Sequence, residues 1–227
     1  MSQYEEEQLE NVKRFWQDYG TPILLGITIA LASFGGWNWW QKQRLTQAAA
    51  ASAVFQDMLV ASQRLQLNPA DTAANTDVQR HARTLKEEHA GTPFAQNAAL
   101  LLARQSVDRD DYADAEKQLR WVLDSKPSEG VRVLALTRLA RVLAAQGKHD
   151  AALALLASEK SPGFEPTVQE LRGDILQAQG KSEEARQAYL AAAEALRARD
   201  EQRPLLELKM ADVGLAPLTP PVEADAL

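Results

Sequence analysis

Residues Thr21 to Trp40, TPILLGITIALASFGGWNWW, form a run of twenty with no charged side chain. A helix rising about 1.5 Å per residue would carry such a run across roughly 30 Å of hydrocarbon. Phe15, Trp16 and Tyr19 precede it, and Trp37, Trp39 and Trp40 close it. Amphipathic rings favour the headgroup depth on either side of a bilayer. The apolar drive is modest. Ile23, Leu24, Leu25, Ile27, Ile29, Leu31 and Phe34 supply about 0.3–0.6 kcal/mol each, while Pro22, Asn38 and the glycines subtract. A cleaved signal peptide is disfavoured, because Glu5, Glu6, Glu7, Glu10 and Asp18 outweigh Lys13 and Arg14 at the start. A core helix of this length would show a polar face, and this run has none. The expectation is a single transmembrane helix at 21–40 after a short N-terminal segment at 1–20. Within it, Gly26-x-x-x-Ala30 and Ala32-x-x-x-Gly36 would permit close approach to another membrane helix.

At 227 residues the chain has room for such an anchor and one further domain. A net charge of −6 argues against nucleic acid as a partner, which needs a basic stripe to meet phosphates. There is no cysteine, so disulfides, thiolate chemistry and thiolate zinc sites are excluded. Ala, Leu, Gln, Glu and Arg dominate beyond the apolar run, which favours helices. Charge leaves the orientation open: Lys13 and Arg14 precede the run, and Lys42 and Arg44 follow it.

Downstream, Gln41–Leu67 reads as an Ala-rich helix with no breaker until Asn68-Pro69, and Ala50, Val54, Met58 and Ala61 recur at helical spacing. Pro69–Asn75 reads as a loop, and Asp77–Ala90 as a second helix stopped by Gly91 and Pro93. A repeat then begins. DYADAEKQLRWVLDSKP, KHDAALALLASEKSP and KSEEARQAYLAAAEAL align, with small residues Ala115, Ala152 and Ala185 followed four positions on by Leu119, Leu156 and Tyr189. Each is preceded by a helix carrying a small residue midway (Ala103, Ala140, Gly173) and by a turn at Asp110, Gly147 or Gly180. A period near 34 with small residues at fixed sites predicts paired helices of the tetratricopeptide type. The predicted fold is all-α: the transmembrane helix, then a tetratricopeptide-like α-solenoid over 41–214. Leu205–Val213 would cap its end, and the proline-rich, acidic tail over 215–227 would be disordered.

No phosphate-binding glycine loop, nucleophile elbow or His-Glu-x-x-His pair occurs. His81, His89 and His149 are far apart in sequence, and the acidic pairs Glu87-Glu88, Asp110-Asp111 and Glu183-Glu184 fall at helix ends. Nothing points to catalysis, a cofactor or a metal. Binding remains. The first helices of such repeats line a concave groove, which places Asn97, Leu100 and Arg104 on its wall, then Thr137 and Arg141, then Glu170, Asp174 and Gln177. Arg104 and Arg141 hold equivalent places and suit a carboxylate or the backbone of an extended chain; they equally suit a solvated charged face.

The stretches VKRFWQDYG, GWNWW, GTPFAQNAALLLA, LTRLARVLAAQGKHDAAL and ELRGDILQAQGKSEEARQAYLAAAEAL together resemble the YfgM-like ancillary subunits of the SecYEG protein translocon of Gram-negative bacteria. The resemblance covers nearly all of the chain up to Ala216. It implies a cytoplasmic N-terminus, one inner-membrane helix with Trp37, Trp39 and Trp40 at its far edge, and a periplasmic repeat domain. It also implies association with SecYEG and with a membrane-anchored periplasmic PpiD-like chaperone, serving nascent secretory chains. For some members it implies control of a cytoplasmic response regulator, and a regulatory adaptor acting through the acidic N-terminus is the alternative function. No catalytic residue is implied.

Overall fold

The computed structural model describes residues 2–216, with only some of the side chains before position 30. The predicted disordered tail lies, from 217 onward, outside the described residues. All of the described regular structure is helical: α1 (Ser2–Leu67), α2 (Thr72–Glu88), α3 (Pro93–Val107), α4 (Tyr112–Asp124), α5 (Glu129–Ala145), α6 (His149–Ala157), α7 (Glu165–Ala178), α8 (Ser182–Arg197) and α9 (Pro204–Asp212). The chain divides into two compact units, Met1–Ala53 and Val54–Leu227.

The first unit is helix throughout its described length. The transmembrane helix expected at 21–40 needs correction: among the described residues, no helix is long and apolar enough to cross a membrane. The physical reason lies in the run itself. Among its described residues, Gly26, Thr28, Ser33, Gly35, Gly36 and Asn38 interrupt Leu24, Leu25, Leu31 and Phe34, and the helix turns polar from Gln41 on. Nor is the run a discrete element, because α1 extends on both sides of it. Its described side chains are exposed, among them Leu24, Leu25, Leu31, Phe34, Trp37, Trp39 and Trp40. Trp37 and Trp40 lie with ring centroids 5.3 Å apart, and the Arg44 guanidinium sits 4.3 Å from the Trp40 centroid. Gly26, Ala30, Ala32 and Gly36 are exposed as well, and a Cβ added at Gly26 or Gly36 would meet nothing within 4 Å.

In the second unit each helix from α2 onward packs on the next, and α5 also touches α7. Short connections force consecutive helices antiparallel, which builds the helix-hairpin stack that the repeat predicts. The stop signals are legible in chemistry. Asp71 caps α2 by accepting from Ala74 N at 2.8 Å, Thr92 caps α3 with Pro93 in its first turn, and Asp111 caps α4 by accepting from Asp114 N at 3.0 Å. The Asp71 cap starts α2 five residues earlier than the predicted Asp77 and shortens the loop to Asn68–Asp71.

The repeat's turns share one geometry. Asp110, Gly147 and Gly180 sit at φ of 58°, 76° and 75°, the left-handed region that glycine enters without a Cβ penalty. In each, the following backbone N–H donates five residues back: Asp111 to Ser106 O, Lys148 to Leu143 O and Lys181 to Leu176 O. That closes the orphan carbonyls at the helix end in a Schellman turn. Asp200 and Gly214 make the same turn after α8 and α9. The last repeat therefore ends at Arg197, and Pro204 opens α9.

Ala103, Ala140 and Gly173 are buried, as are Leu119, Leu156 and Tyr189, and the Tyr189 ring lies directly against Gly173. One apolar cluster runs from α3 to α7 through Leu119, Leu139 and Leu156, and another joins α7, α8 and α9 through Leu176, Tyr189, Leu206 and Met210. Burial of Leu206 and Met210 shows α9 closing the end of the stack, as the Leu205–Val213 pattern predicts.

A cationic cleft on the repeat face

The residues predicted to line the groove part into two groups. Arg104 on α3 and Arg141 on α5 come together, and they are joined by Arg138, which the sequence reading missed. These three edge a cleft of about 420 Å³ whose walls are Ala103, Val107, Tyr112, Leu119, Val142 and Ala145. Arg138 is half-buried; burial comes first, then the Arg141 and Arg104 charges, in pulling its pKa below the ordinary guanidinium value. Arg104 reaches Asp108 only at 3.9 Å, with both side chains largely exposed. Neither Arg138 nor Arg141 makes an ion pair among the described residues. Helical spacing carried the missed signal: Arg138 lies one turn before Arg141 on the same helix, and only packing shows how far the stripe enters the cleft.

At the other end the groove is filled. Glu170 is buried and takes Arg203 Nη1 at 2.7 Å and Lys209 Nζ at 2.7 Å, both from the segment that forms α9. Asp174 accepts from Lys209 at 2.8 Å and from the Tyr189 hydroxyl at 3.0 Å. Desolvation works against the Glu170 carboxylate, yet Lys209 and Arg203 hold its pKa below the usual value. Tyr189 is driven the other way, by burial first and then by Asp174. These two acids are thus seats for the cap. Thr137 is buried, its hydroxyl donating to Val133 O at 2.9 Å, and Leu100 belongs to the core. Asn97 and Gln177 are exposed.

A second cleft of about 420 Å³ shares Arg104 with the first. Leu65, Asn75, Leu101 and Gln105 are among its lining residues. Gln105 Nε2 donates to Ser62 Oγ at 3.0 Å, while its Oε1 is buried with no donor. Among the described residues, no three His, Cys, Asp or Glu side chains cluster so as to hold a metal.

Stacked helix hairpins with Schellman turns, small-to-large contacts and a capped end define a tetratricopeptide-type helical-repeat protein. Comparison with known proteins agrees: the tetratricopeptide repeat-like domain family matches residues 13–215. A curated relative from Neisseria gonorrhoeae, named ancillary SecYEG translocon subunit, is 30% identical over 91% of this chain and 95% of its own. Relatives of the same name from Escherichia coli and Haemophilus influenzae are 29% and 24% identical, each over 82% of this chain and over 85% and 86% of their own. The chain belongs to this family of tetratricopeptide-like ancillary SecYEG translocon subunits.

Proposed function

We propose that this chain is a non-enzymatic subunit that associates with the SecYEG translocon at the bacterial inner membrane. Its repeats would stand on the periplasmic side, as a scaffold or chaperone for proteins leaving the channel. The observation that carries this reading is the match to relatives of that name along nearly the whole chain, in a fold that offers clefts and charged grooves. The exposed Leu24, Leu25, Leu31, Phe34, Trp37, Trp39 and Trp40 of α1 supply a physical motive for association. Each such side chain, fully buried against a partner subunit, contributes about 1.5–3 kcal/mol. Holding the repeats beside emerging chains raises their effective concentration, so individual contacts need not be strong. A membrane-anchored chaperone of the PpiD-like class is the companion it would act with.

The test is purification of the tagged full-length chain in mild detergent, with identification of what accompanies it. SecY, SecE or SecG at near-stoichiometric amounts is the expected result. Their absence from a folded preparation, at a tag level matching the native amount, overturns the reading.

A further inference from the structure

We propose that the cleft edged by Arg104, Arg138 and Arg141 docks an extended acidic segment of a partner protein. One large apolar side chain would seat between the walls, with flanking carboxylates on the arginines. This rests on the reading above that the repeat face binds protein.

Charge sets the partner's sign. The chain carries a net −6, yet here three guanidinium groups gather with only a 3.9 Å contact to Asp108 to offset them. Other half-buried cations have partners: Lys86 donates to Gln118 Oε1 at 2.8 Å and lies 4.9 Å from the Trp121 centroid, and three more meet carboxylates. Arg132 lies 2.6 Å from Glu159, Arg203 2.7 Å from Glu170, and Lys209 2.7 and 2.8 Å from Glu170 and Asp174. Folding gathers like charges only at a cost, and an arriving carboxylate removes it through charge-assisted, fork-shaped hydrogen bonds. An acidic segment is the complement.

The cleft's shape sets the rest. Its walls are apolar side chains, and about 420 Å³, in the lower part of the ligand-pocket range, holds a leucine or phenylalanine side chain together with neighbouring backbone. An extended chain is favoured over a compact anion because the second cleft lies across Arg104. Arg104 then stands between two successive subsites.

The experiment uses the full-length chain and three fluorescein-labelled peptides in an anisotropy titration: Glu-Asp-Leu-Glu-Asp, its Leu→Ser form, and Lys-Lys-Leu-Lys-Lys. The first is expected to bind, and the other two at least tenfold more weakly. Arg138→Gln with Arg141→Gln should weaken the first peptide at least tenfold, while Arg120→Gln, on an exposed helix pair with Glu116, should leave it unchanged. Because Arg138 is repelled by its neighbours, Arg138→Gln should melt at or above the parent temperature, an effect that a purely structural arginine would reverse. Failure of a folded parent to bind the acidic peptide at millimolar concentration overturns the inference. So does equal binding of the basic peptide, or arginine-dependent binding seen only with phosphatidylglycerol vesicles. A parent that co-purifies with the translocon but fails these titrations loses this inference alone; loss of co-purification removes the functional reading beneath it.

Discussion

Gly173→Ala is a single methyl group whose effect the repeat geometry decides. A Cβ built on Gly173 falls 2.4, 2.5 and 2.9 Å from Cε1, Cδ1 and Cζ of the Tyr189 ring. Ordinary carbon contacts begin near 3.5 Å, so the ring must retreat by about 1 Å. It has little room, being 3% exposed and tethered through its hydroxyl to Asp174 Oδ1 at 3.0 Å. Overpacking of this kind costs about 1–3 kcal/mol. Alanine returns about 1 kcal/mol of helix propensity over glycine, so the net is a destabilisation of about 0–2 kcal/mol. In a domain of this size each kcal/mol lowers the melting midpoint by about 2–4 °C. The equivalent pairs in the other repeats are Ala103 with Leu119 and Ala140 with Leu156, so Gly173 is the partner that tyrosine bulk demands. Gly173→Ala combined with Tyr189→Leu restores that pairing and should lie closer to the parent than the sum of the single changes. Urea titration by circular dichroism reads all four proteins. A stabilised Gly173→Ala, or strict additivity in the double variant, would refute the reasoning.

Three further perturbations follow from the same packing. Arg132, and then the Ser161 backbone and hydroxyl, hold the Glu159 carboxyl at about 2, and Arg120 first, with Lys148 and Gln146, holds Glu116 at about 2. Both folded values lie below the ordinary 4.5, so this stabilisation is complete above about pH 4.5 and is lost as pH falls toward 2. Urea midpoints should decline across that window, and Glu159→Gln, costing about 1–3 kcal/mol near neutrality, should flatten the decline. Met210→Ala opens a cavity under the α9 cap, where Met210 is fully buried, and should cost about 2–4 kcal/mol by the same titration. Gly147→Ala places a Cβ in open space but at φ +76°, so thermal melting should show a loss of about 1 kcal/mol from backbone strain alone.

The repeat was legible because its small residues and turn residues are local and periodic. Ala103, Ala140 and Gly173, with Asp110, Gly147 and Gly180, state the hairpin stack before any contact is known. The groove was legible only in part. Arg104 and Arg141 meet because equivalent positions on the first helices of successive repeats face one groove, whereas Glu170 and Asp174 occupy equivalent ground but are claimed by Arg203 and Lys209. Those partners lie more than thirty residues downstream, and no local pattern announces them. The run at 21–40 misled because an uncharged stretch was weighed by length and edges. Among the described residues α1 has no stretch of the apolar density that a span requires, and the helix continues past both ends of the run.

The proposed role needs the repeat face to meet other proteins at the translocon. The most direct measurement is photocrosslinking in intact cells, with benzoylphenylalanine replacing Val107 in the cleft and, as a control, Arg120 on the exposed side of α4. Adducts are expected from position 107 to a translocon component, a companion chaperone or a chain in transit, and markedly fewer from position 120. Equal labelling from both positions, or no adduct from 107 in a chain made at normal levels, would contradict it.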